Sequence, residues 1–493
     1  MIMKKNILYI LAAVLAVPML SSCNEWLEEH PKAIAVNTFY NTESDAEAAI
    51  EACVMRVRNV RASAEMSAFM ECFADYNYGR GSWQANSTYD ILNEQNKNRV
   101  TTVWINTYRI IRDANICISK FPGAKNLSDE QKTQYIAEAK FFRALAYFDI
   151  ARFWGKGVLR TEENLETWNL PMSPVEDIWN LVISDLKYAV ENCPDKAKQL
   201  GRPGKNAART LLAHVYLTRK EYNNAAPLLK AVIDSKEYSL VKVSTHRDFD
   251  NLFGHENVIS SEEIFYVKTS RTGNQGWQIV MYYAHPNARK DGMKMSGAGG
   301  WFALSLSMSN KWVQNWDTAD LRREYCILEY PGQGNFGDVV LDGLTTKFID
   351  PDAASADGNC DNPMYRYADV LMMYAEALSQ GGSPNAEAME CVNMIHRRAY
   401  GHDPMVASAD DYVLSDYSTK DKFMELIVKE QCYEFWGETK RWPFLVRTGL
   451  AEKYVKEYKG RTINPNLYLF PIPENEFLYN EALDPVKDQN PGY

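Results

Sequence analysis

Several features that enzymes and nucleic-acid-binding proteins depend on are missing from this chain of 493 residues. None of the nine cysteines forms a Cys-x-x-Cys pair, so neither a zinc ribbon nor a disulfide-dense scaffold is expected. The seven histidines are scattered, and neither His-Glu-x-x-His nor Gly-x-Ser-x-Gly occurs. The net charge is −10 and no basic stripe runs along the chain, which argues against a nucleic-acid partner.

Long apolar runs are also missing, apart from residues 7–19, which follow two lysines. This run is shorter than the roughly 20 residues that span a bilayer, and it leads into Leu20-Ser21-Ser22-Cys23. The pattern is typical of a bacterial secretory signal that ends in a lipobox. We therefore predict a signal peptide over residues 1–22, acylation of Cys23 and a lipid-anchored segment over residues 23–43. An ordinary signal peptide with a chance cysteine is the alternative.

Aromatic residues, in contrast, are plentiful, with 12 tryptophans and 29 tyrosines. Their side chains combine a flat apolar face with a polar edge, so an excess indicates recognition of ligands that present apolar CH faces. The eight cysteines after Cys23 are predicted to be buried as small apolar side chains. An oxidising compartment would also allow one disulfide bond among them. Four tryptophans on helical faces are predicted to belong to the core: Trp104, Trp154, Trp179 and Trp436.

The first half of the mature chain is predicted to be helix after helix. Apolar residues recur at helical spacing over residues 44–61 and 100–121, and Ser44 is the predicted N-cap of the first of these helices. Ser128 with Gln131 three residues later forms a capping-box pattern, which predicts a helix running to about Trp154. The wide apolar face of that helix indicates burial on two sides, as in a stacked helical array.

Paired helices recur along the chain. Over residues 207–235, Ala213 and Tyr216 lie on one predicted helix, Tyr222 at the turn, and Ala225 and Leu229 on a second. These offsets fit the tetratricopeptide pattern, in which small residues let two helices approach closely. A looser copy covers residues 365–400, and a helix over 421–435 begins a further unit. The predicted fold is therefore mostly α, with a tetratricopeptide-like scaffold of helical pairs.

Residues 240–360 differ in character, because helical periodicity fades and glycine-rich turns and short strand-like pieces take over. So long an irregular stretch within a domain is commonly functional. We predict one domain over residues 44–493, in which residues 44–239 and 361–493 form the helical scaffold. Residues 240–360 are predicted to form a loop-rich insertion that carries the ligand-binding face.

Several segments carry the motifs of one known protein family, in the same order along the chain. Glu430, Glu434, Glu438 and Arg441 fit its late helix, whereas Gln431, Thr439 and Phe444 stand where arginine, glycine and aspartate are usual. The other matching segments are Glu138-Ala139-Lys140-Phe141-Phe142-Arg143-Ala144-Leu145-Ala146-Tyr147-Phe148, Gly201-Arg202-Pro203 with Ala207-Ala208 and Leu211-Leu212-Ala213, Arg366-Tyr367-Ala368-Asp369-Val370-Leu371 with Tyr374-Ala375-Glu376-Ala377, and Pro471-Ile472-Pro473-Glu474 with Gln489-Asn490-Pro491-Gly492-Tyr493.

Together these segments resemble the SusD/RagB family of outer-membrane lipoproteins. This resemblance implies a helical scaffold displayed at the cell surface and a SusC-like TonB-dependent outer-membrane transporter as partner. It implies capture of a nutrient without cleavage, most often an oligosaccharide and less often a peptide. A surface glycosidase is the remaining alternative, because paired carboxylates need only converge in space. The matching motifs belong to the scaffold, so the resemblance assigns no ligand-binding residue.

Candidate ligand contacts come from two aromatic clusters. The stretch 75–86 combines aromatic, amide and guanidinium groups between glycines, a mixture that suits the CH faces and paired hydroxyls of a sugar. Glycine neighbours there predict that Trp83 is exposed. The insertion supplies further aromatic residues. The candidates are Trp83, Tyr78, Arg80, Asn86, Trp277, Tyr282 and Trp301.

Two sets of acidic residues each have a structural and a functional interpretation. Glu430, Glu434 and Glu438 lie at helical spacing beside basic residues, which favours ion pairing within the scaffold over glycoside hydrolysis. Clustered oxygen ligands in residues 350–361 suit calcium but lack EF-hand spacing, and a solvated acidic turn is the alternative. No other cofactor is predicted.

Overall fold

A computed structural model describes residues 39–89, 93–354 and 357–493. The predicted signal peptide, the lipobox and Cys23 lie outside these residues, as does most of the predicted anchor segment. In the described part of the chain, no helix combines the length and the apolar character that crossing a membrane requires.

Helices dominate, as the sequence predicted. They are α1 Glu43–Arg61, α2 Ala64–Phe73, α3 Gln84–Ser87, α4 Glu94–Lys120, α5 Asp129–Trp154, α6 Val175–Asn192, α7 Lys205–Thr218, α8 Tyr222–Asp234, α9 Asp250–Phe253, α10 Ile279–Tyr283, α11 Lys311–Gln314, α12 Leu321–Cys326, α13 Tyr367–Gly381, α14 Ala386–Ala399, α15 Lys420–Glu434, α16 Arg441–Thr448, α17 Ala451–Lys459 and α18 Glu474–Tyr479. The strands are short: β1 Asn77–Gly79, β2 Gly157–Val158, β3 Met172–Ser173, β4 Glu263–Val267, β5 Arg289–Lys290, β6 Met293–Lys294, β7 Leu304–Leu306, β8 Ile327–Glu329, β9 Asn335–Phe336, β10 Val339–Val340, β11 Gly343–Thr345 and β12 Asn362–Arg366.

Helix starts follow local capping chemistry. Ser128 caps α5 in a reciprocal capping box with Gln131, and α5 ends at Trp154, so both predicted limits are confirmed. The predicted cap of α1 was wrong by two residues. Thr42 caps this helix because Asp45 closes a capping box with it, whereas Ser44 lies inside the helix.

The helices pack as successive neighbours. α4, α5, α6, α7 and α8 each pack against the next, and α8 also packs on α13, which joins the two halves of the scaffold. Ala213 on α7 and Ala225 on α8 are completely buried, and such small residues let paired helices approach closely. Gly381 at the end of α13 permits a similar approach, since a Cβ there would lie 2.8 Å from the Cβ of Tyr222.

The short strands tie distant parts of the chain together. β1 pairs antiparallel with β7, and a four-stranded sheet follows in the order β1-β7-β11-β8. β12 pairs with β4 just before α13 begins. The largest apolar core runs through the helical scaffold and into residues 240–360 without interruption. The division of the chain at residues 240 and 360 stays a prediction.

Core predictions for individual residues are confirmed. Trp104, Trp154 and Trp436 are completely buried and Trp179 is nearly so. The eight cysteines that the structure describes are all buried with free thiols: Cys53, Cys72, Cys117, Cys193, Cys326, Cys360, Cys391 and Cys432.

The three glutamates at positions 430, 434 and 438 form ion pairs inside the protein. Glu430 accepts a hydrogen bond from Arg322 at 3.0 Å. Glu434 accepts hydrogen bonds from Arg322, Arg366 and Arg398. Glu438 binds Lys347 and Arg366, and every member of this cluster is almost completely buried. The scaffold interpretation of Glu430, Glu434 and Glu438 is therefore confirmed.

Candidate functional site

Three of the predicted ligand contacts form a row of aromatic rings. The ring centroids of Trp83 and Tyr282 are 5.3 Å apart, and those of Tyr282 and Trp301 are 5.2 Å apart, both edge to face. Trp301 ends the row at the surface with 51% of its area exposed, whereas Trp83 and Tyr282 are nearly buried. We call these three residues the aromatic row.

Backbone hydrogen bonds fix the aromatic row. The Trp301 and Ala303 amides donate to the Met281 and Tyr282 carbonyls on α10, at 2.8 and 2.9 Å. The Arg80 amide in turn donates to the Ala303 carbonyl at 2.8 Å, next to the β1–β7 pairing. Gly300 allows the turn, because its φ is +138° and a Cβ there would lie 2.1 Å from the Ala284 carbonyl oxygen. Trp301 is therefore presented by a rigid backbone.

Two guanidinium groups lie on aromatic faces along this surface. The Arg80 guanidinium carbon is 3.5 Å from the centre of the Phe302 ring, and that of Arg99 is 3.6 Å from the centre of the Trp83 ring. Arg99 also donates to both oxygens of Ser82, which holds the turn before Trp83. Arg80 and Arg99 are both partly exposed, so they offer donors next to flat rings.

The exposed surface continues beyond the aromatic row. The His285 ring lies 4.6 Å from Phe302 and 4.8 Å from Tyr330, measured between ring centres, and all three side chains are partly exposed. Burial, together with the charge of Arg80, lowers the pKa of His285, so its imidazole is neutral at neutral pH. Burial also raises the pKa of Tyr282 to about 12, so its phenol keeps its proton. The site offers neutral hydrogen-bonding groups beside its cations.

The prediction that Trp83 is exposed was wrong. Trp83 ends a 3₁₀ turn, Gly81–Trp83, and its indole packs edge to face against Phe69 as well as Tyr282. Only 6% of its surface is exposed. The glycines around it serve backbone geometry instead: Gly81 has a φ of +53°, and a Cβ on Gly79 would lie 2.2 Å from the Trp83 carbonyl oxygen. Trp83 therefore supports Tyr282 from the interior.

Three other candidates lie in the interior, which contradicts the exposure that a ligand contact requires. Trp277 is completely buried and donates to the Ser67 hydroxyl at 2.8 Å. Tyr78 lies in β1 against Phe336. Asn86 is completely buried as well, and its side-chain amide finds no hydrogen-bond partner among the described residues. Arg80 and Trp301 are the candidates that reach the surface, and Tyr282 and Trp83 pack behind Trp301.

Sequence reasoning missed four residues of this surface: Arg99, Phe302, His285 and Tyr330. Arg99 lies on the second turn of α4, where an arginine is an ordinary helix residue. Phe302 has a φ of +51°, which no local pattern indicated. Its neighbour Gly300 and the tryptophan between them were the available signal for a special turn at this point of the chain.

A buried lysine, Lys459, lies next to Tyr78 of β1. The Lys459 ammonium group donates to the Cys72 carbonyl at 2.6 Å and lies 5.4 and 5.3 Å from the ring centres of Tyr78 and Tyr89. Lys459 is 5% exposed, and this burial lowers its pKa to about 7.

We expect this lysine to make stability depend on pH. In the unfolded chain a lysine has a pKa of about 10.4, so the unfolded state binds the proton more tightly than the folded state does. Below pH 7 the full cost of burying the charge is present, and it is relieved as pH rises from 7 towards 10. Lys459→Met removes the buried charge and its titration, so we expect the variant to be more stable than wild type below pH 7. This difference in the free energy of unfolding should shrink by roughly 1 kcal/mol per pH unit between pH 7 and 9.

Urea unfolding at pH 6, 7, 8 and 9 measures this difference. Lys456→Met on the exposed side of the same helix is the matched control and should differ little from wild type at every pH. A difference between Lys459→Met and wild type that stays constant with pH would contradict the prediction.

The acidic cluster predicted for calcium is largely occupied by other partners. Arg271 binds both oxygens of Asp350, and Lys268 binds Asp361. Among the described residues, Asp352 instead lies near His255 and Glu256, with candidate ligand atoms within 4.8 Å of one another. Calcium at residues 350–361 stays a prediction.

Known proteins are similar to this chain in sequence. A family model described as the SusD family matches residues 333–493, and one described as starch-binding associating with outer membrane matches residues 25–217. A SusD-like protein of Formosa agariphila is 25% identical, with 96% of this chain and 97% of the relative covered. This chain belongs to the SusD-like family.

Solved structures show the same fold for this SusD-like protein. A SusD homolog from Bacteroides thetaiotaomicron superposes with a TM-score of 0.77 at 21% identity, covering 93% of this chain and 98% of that one. Surface glycan-binding protein A from the same organism, in complex with laminarihexaose, superposes with a TM-score of 0.72 at 17% identity, covering 91% and 99%. The resemblance stated from the sequence and the mostly helical fold are both confirmed.

The family models leave a gap that matters for the site. Residues 218–332 lie outside both matched ranges, and this stretch carries Tyr282, Trp301, Phe302 and His285. Trp83, Arg80 and Arg99 lie inside the first matched range. The SusD-like scaffold is thus shared with the family models, whereas the exposed half of the aromatic row comes from the unmatched stretch.

Proposed function

We propose that this protein is a cell-surface lipoprotein that binds an oligosaccharide or polysaccharide nutrient and delivers it to a TonB-dependent outer-membrane transporter without catalysis. The observation that carries the proposal is Trp301, which stands half exposed on a rigid turn at the end of the aromatic row. Arg80 on the Phe302 ring provides donors beside it.

The surface chemistry matches what a sugar presents. A pyranose offers an apolar CH face, which stacks on a flat ring, and hydroxyl groups at its rim, which pair with guanidinium or amide donors. Trp301 supplies such a ring, and the partly exposed Arg80 and His285 supply polar groups nearby. Because the backbone hydrogen bonds already hold Trp301 and Ala303 in place, little ordering entropy has to be lost on binding.

The comparisons support the same kind of ligand. One structural neighbour was solved with laminarihexaose bound, and one matching family model carries a starch-binding description. The outer-membrane association in that description supports the anchor predicted at Cys23, which metabolic labelling with a fatty acid tests. A peptide- or other nutrient-binding lipoprotein of the same uptake type is the second candidate, since Arg80 and Arg99 would also suit carboxylates.

A ligand panel separates these functions. Purified protein is mixed with glucans, other plant and algal glycans, and peptides, and binding is measured by calorimetry while released reducing sugar is assayed. We expect binding to at least one glycan with no product formed. Binding to peptides alone would favour the second candidate, and release of reducing sugar would show that the protein is a glycosidase.

A further inference from the structure

A second set of exposed apolar side chains lies outside the aromatic row. Trp168 is 85% exposed, Tyr479 is 80% exposed and Leu478 is 73% exposed. Trp168 comes from the loop between β2 and β3, and the other two residues end α18. We call these three residues the Trp168 surface. Large exposed apolar side chains from neighbouring segments commonly mark an interaction site.

Hydrogen bonds hold the two segments of the Trp168 surface together. The Asn169 side chain bonds Glu481 twice, through its amide nitrogen and its carbonyl oxygen. The Asn480 side chain donates to the Leu170 carbonyl at 2.8 Å. Arg160 donates to the Thr167 and Trp168 carbonyls, each at 2.9 Å. The exposed rings therefore stand on ordered backbone, as preformed docking surfaces do.

The charge around this surface selects its partner. Residues 160–171 and 474–488 together carry eight carboxylates and two basic side chains, and they remain acidic although Glu162 pairs with Arg143 and Glu474 with Lys97. These carboxylates form an acidic rim, which anionic lipid headgroups repel. If two copies met through this surface, their acidic rims would repel each other as well. Both a membrane and a second copy are therefore disfavoured. A different protein with an apolar face and a basic rim is complementary.

One helix, α4, contacts both α18 and the aromatic row. Lys97 and Trp104 on α4 are seven residues apart, so they share one face of the helix, and they contact Glu474 and Glu476 of α18. Arg99 points to the opposite face of α4, where it covers the Trp83 ring. One helix, about 10–12 Å across, therefore separates the start of α18 from Trp83, the buried end of the aromatic row.

We propose that the Trp168 surface is the docking site for the TonB-dependent transporter, with Trp168 and Tyr479 inserted into an apolar face that basic residues surround. This inference rests on the proposed function, which supplies the transporter. It assigns the contact to residues 160–171 and 474–488, with α4 between α18 and the buried end of the aromatic row. Trp and Tyr are the residue types that most often dominate binding energy at such interfaces.

The test compares variants in the lipid-anchored protein. Tagged wild type and the Trp168→Ala/Tyr479→Ala double variant are extracted from outer membranes in gentle detergent, and the co-purified transporter is quantified by mass spectrometry. We expect the double variant to recover at least tenfold less transporter. Glycan affinity and melting temperature should stay unchanged, because the two side chains are largely exposed.

Two further variants sharpen the result. Val258→Ser/Met405→Ser changes equally exposed apolar residues elsewhere, 65% and 72% exposed, and should recover as much transporter as wild type. Glu163→Lys/Glu166→Lys reverses exposed charge beside Trp168 and should weaken recovery, whereas unchanged recovery would contradict the basic rim.

The outcomes separate this inference from the proposed function. Equal recovery by wild type and the double variant would overturn the Trp168 surface and leave the transporter in place. A wild type that recovers no transporter would contradict the proposed delivery as well. If the double variant instead loses binding to vesicles of phosphatidylethanolamine and phosphatidylglycerol, or loses a dimer in light scattering, the surface serves a membrane or a second copy and the inference is wrong.

Discussion

Glu434→Gln should lower the free energy of unfolding by about 3–5 kcal/mol, the usual effect of removing one partner from a buried ion cluster. The Glu434 carboxylate accepts from Arg366 at 2.5 Å, from Arg322 at 3.2 Å and from Arg398. All three guanidinium groups are nearly or completely buried. Neutralising Glu434 leaves their charges without their shared counter-ion and turns an amide NH2 towards donors.

The same cluster should make wild-type stability fall in acid. Burial alone would raise the pKa of Glu434, but Arg398, Arg366 and Arg322 outweigh it and hold the pKa well below the usual value. A carboxyl with a depressed folded pKa stabilises the protein above its unfolded pKa of about 4.3, and this contribution is lost as pH falls further. Glu434→Gln should therefore lose less stability than wild type between pH 5 and 3.

Urea unfolding at pH 7 and at acid pH tests both statements. Glu425→Gln is the matched control, because Glu425 pairs with Lys453 at 3.3 Å with both side chains more than half exposed. We expect that control to change stability by less than about 0.5 kcal/mol. A loss of stability below about 1 kcal/mol for Glu434→Gln would contradict the prediction, because it would show that other groups already compensate the charges of the three arginines.

Local patterns predicted much of this fold because local chemistry determines it. Ser128 and Gln131 are three residues apart, so their capping box can be found without knowledge of the tertiary structure. Glu430 and Glu434 are four residues apart on α15, which indicated a shared face. Their partners Arg322 and Arg366 lie far away along the chain, and no local spacing identifies them.

The site was predicted in part for the same reason. Residue type and turn composition identified Trp83, Tyr282 and Trp301, and the structure brings them into one row although Trp83 and Tyr282 are almost 200 residues apart. Exposure could not be predicted, because it depends on the β1–β7 pairing and on the packing of Phe69 against Trp83. Glycines near Trp83 indicated an exposed loop, but they relieve backbone contacts in a packed turn.

Trp301→Ala should weaken binding of the cognate glycan about tenfold to hundredfold, as loss of a central aromatic contact often does. This corresponds to roughly 1–3 kcal/mol of binding free energy. The melting temperature should change little, since half of the Trp301 surface is exposed and its main ring contact is the edge of Tyr282. Calorimetry with the glycan found in the ligand panel, together with thermal melts, measures both quantities.

Two other tryptophans make this prediction specific. Trp83→Ala should lower the melting temperature as well as the affinity, because it removes the ring between Phe69 and Tyr282 and opens a cavity beneath the aromatic row. Trp168→Ala removes a more exposed indole from the other side of α4 and should leave glycan affinity unchanged. If Trp301→Ala binds the glycan as wild type does while Trp83→Ala melts early, the ligand does not stack on Trp301. The contact would then have to come from the neighbouring surface of Phe302, His285 and Tyr330, where Arg80 already covers one ring.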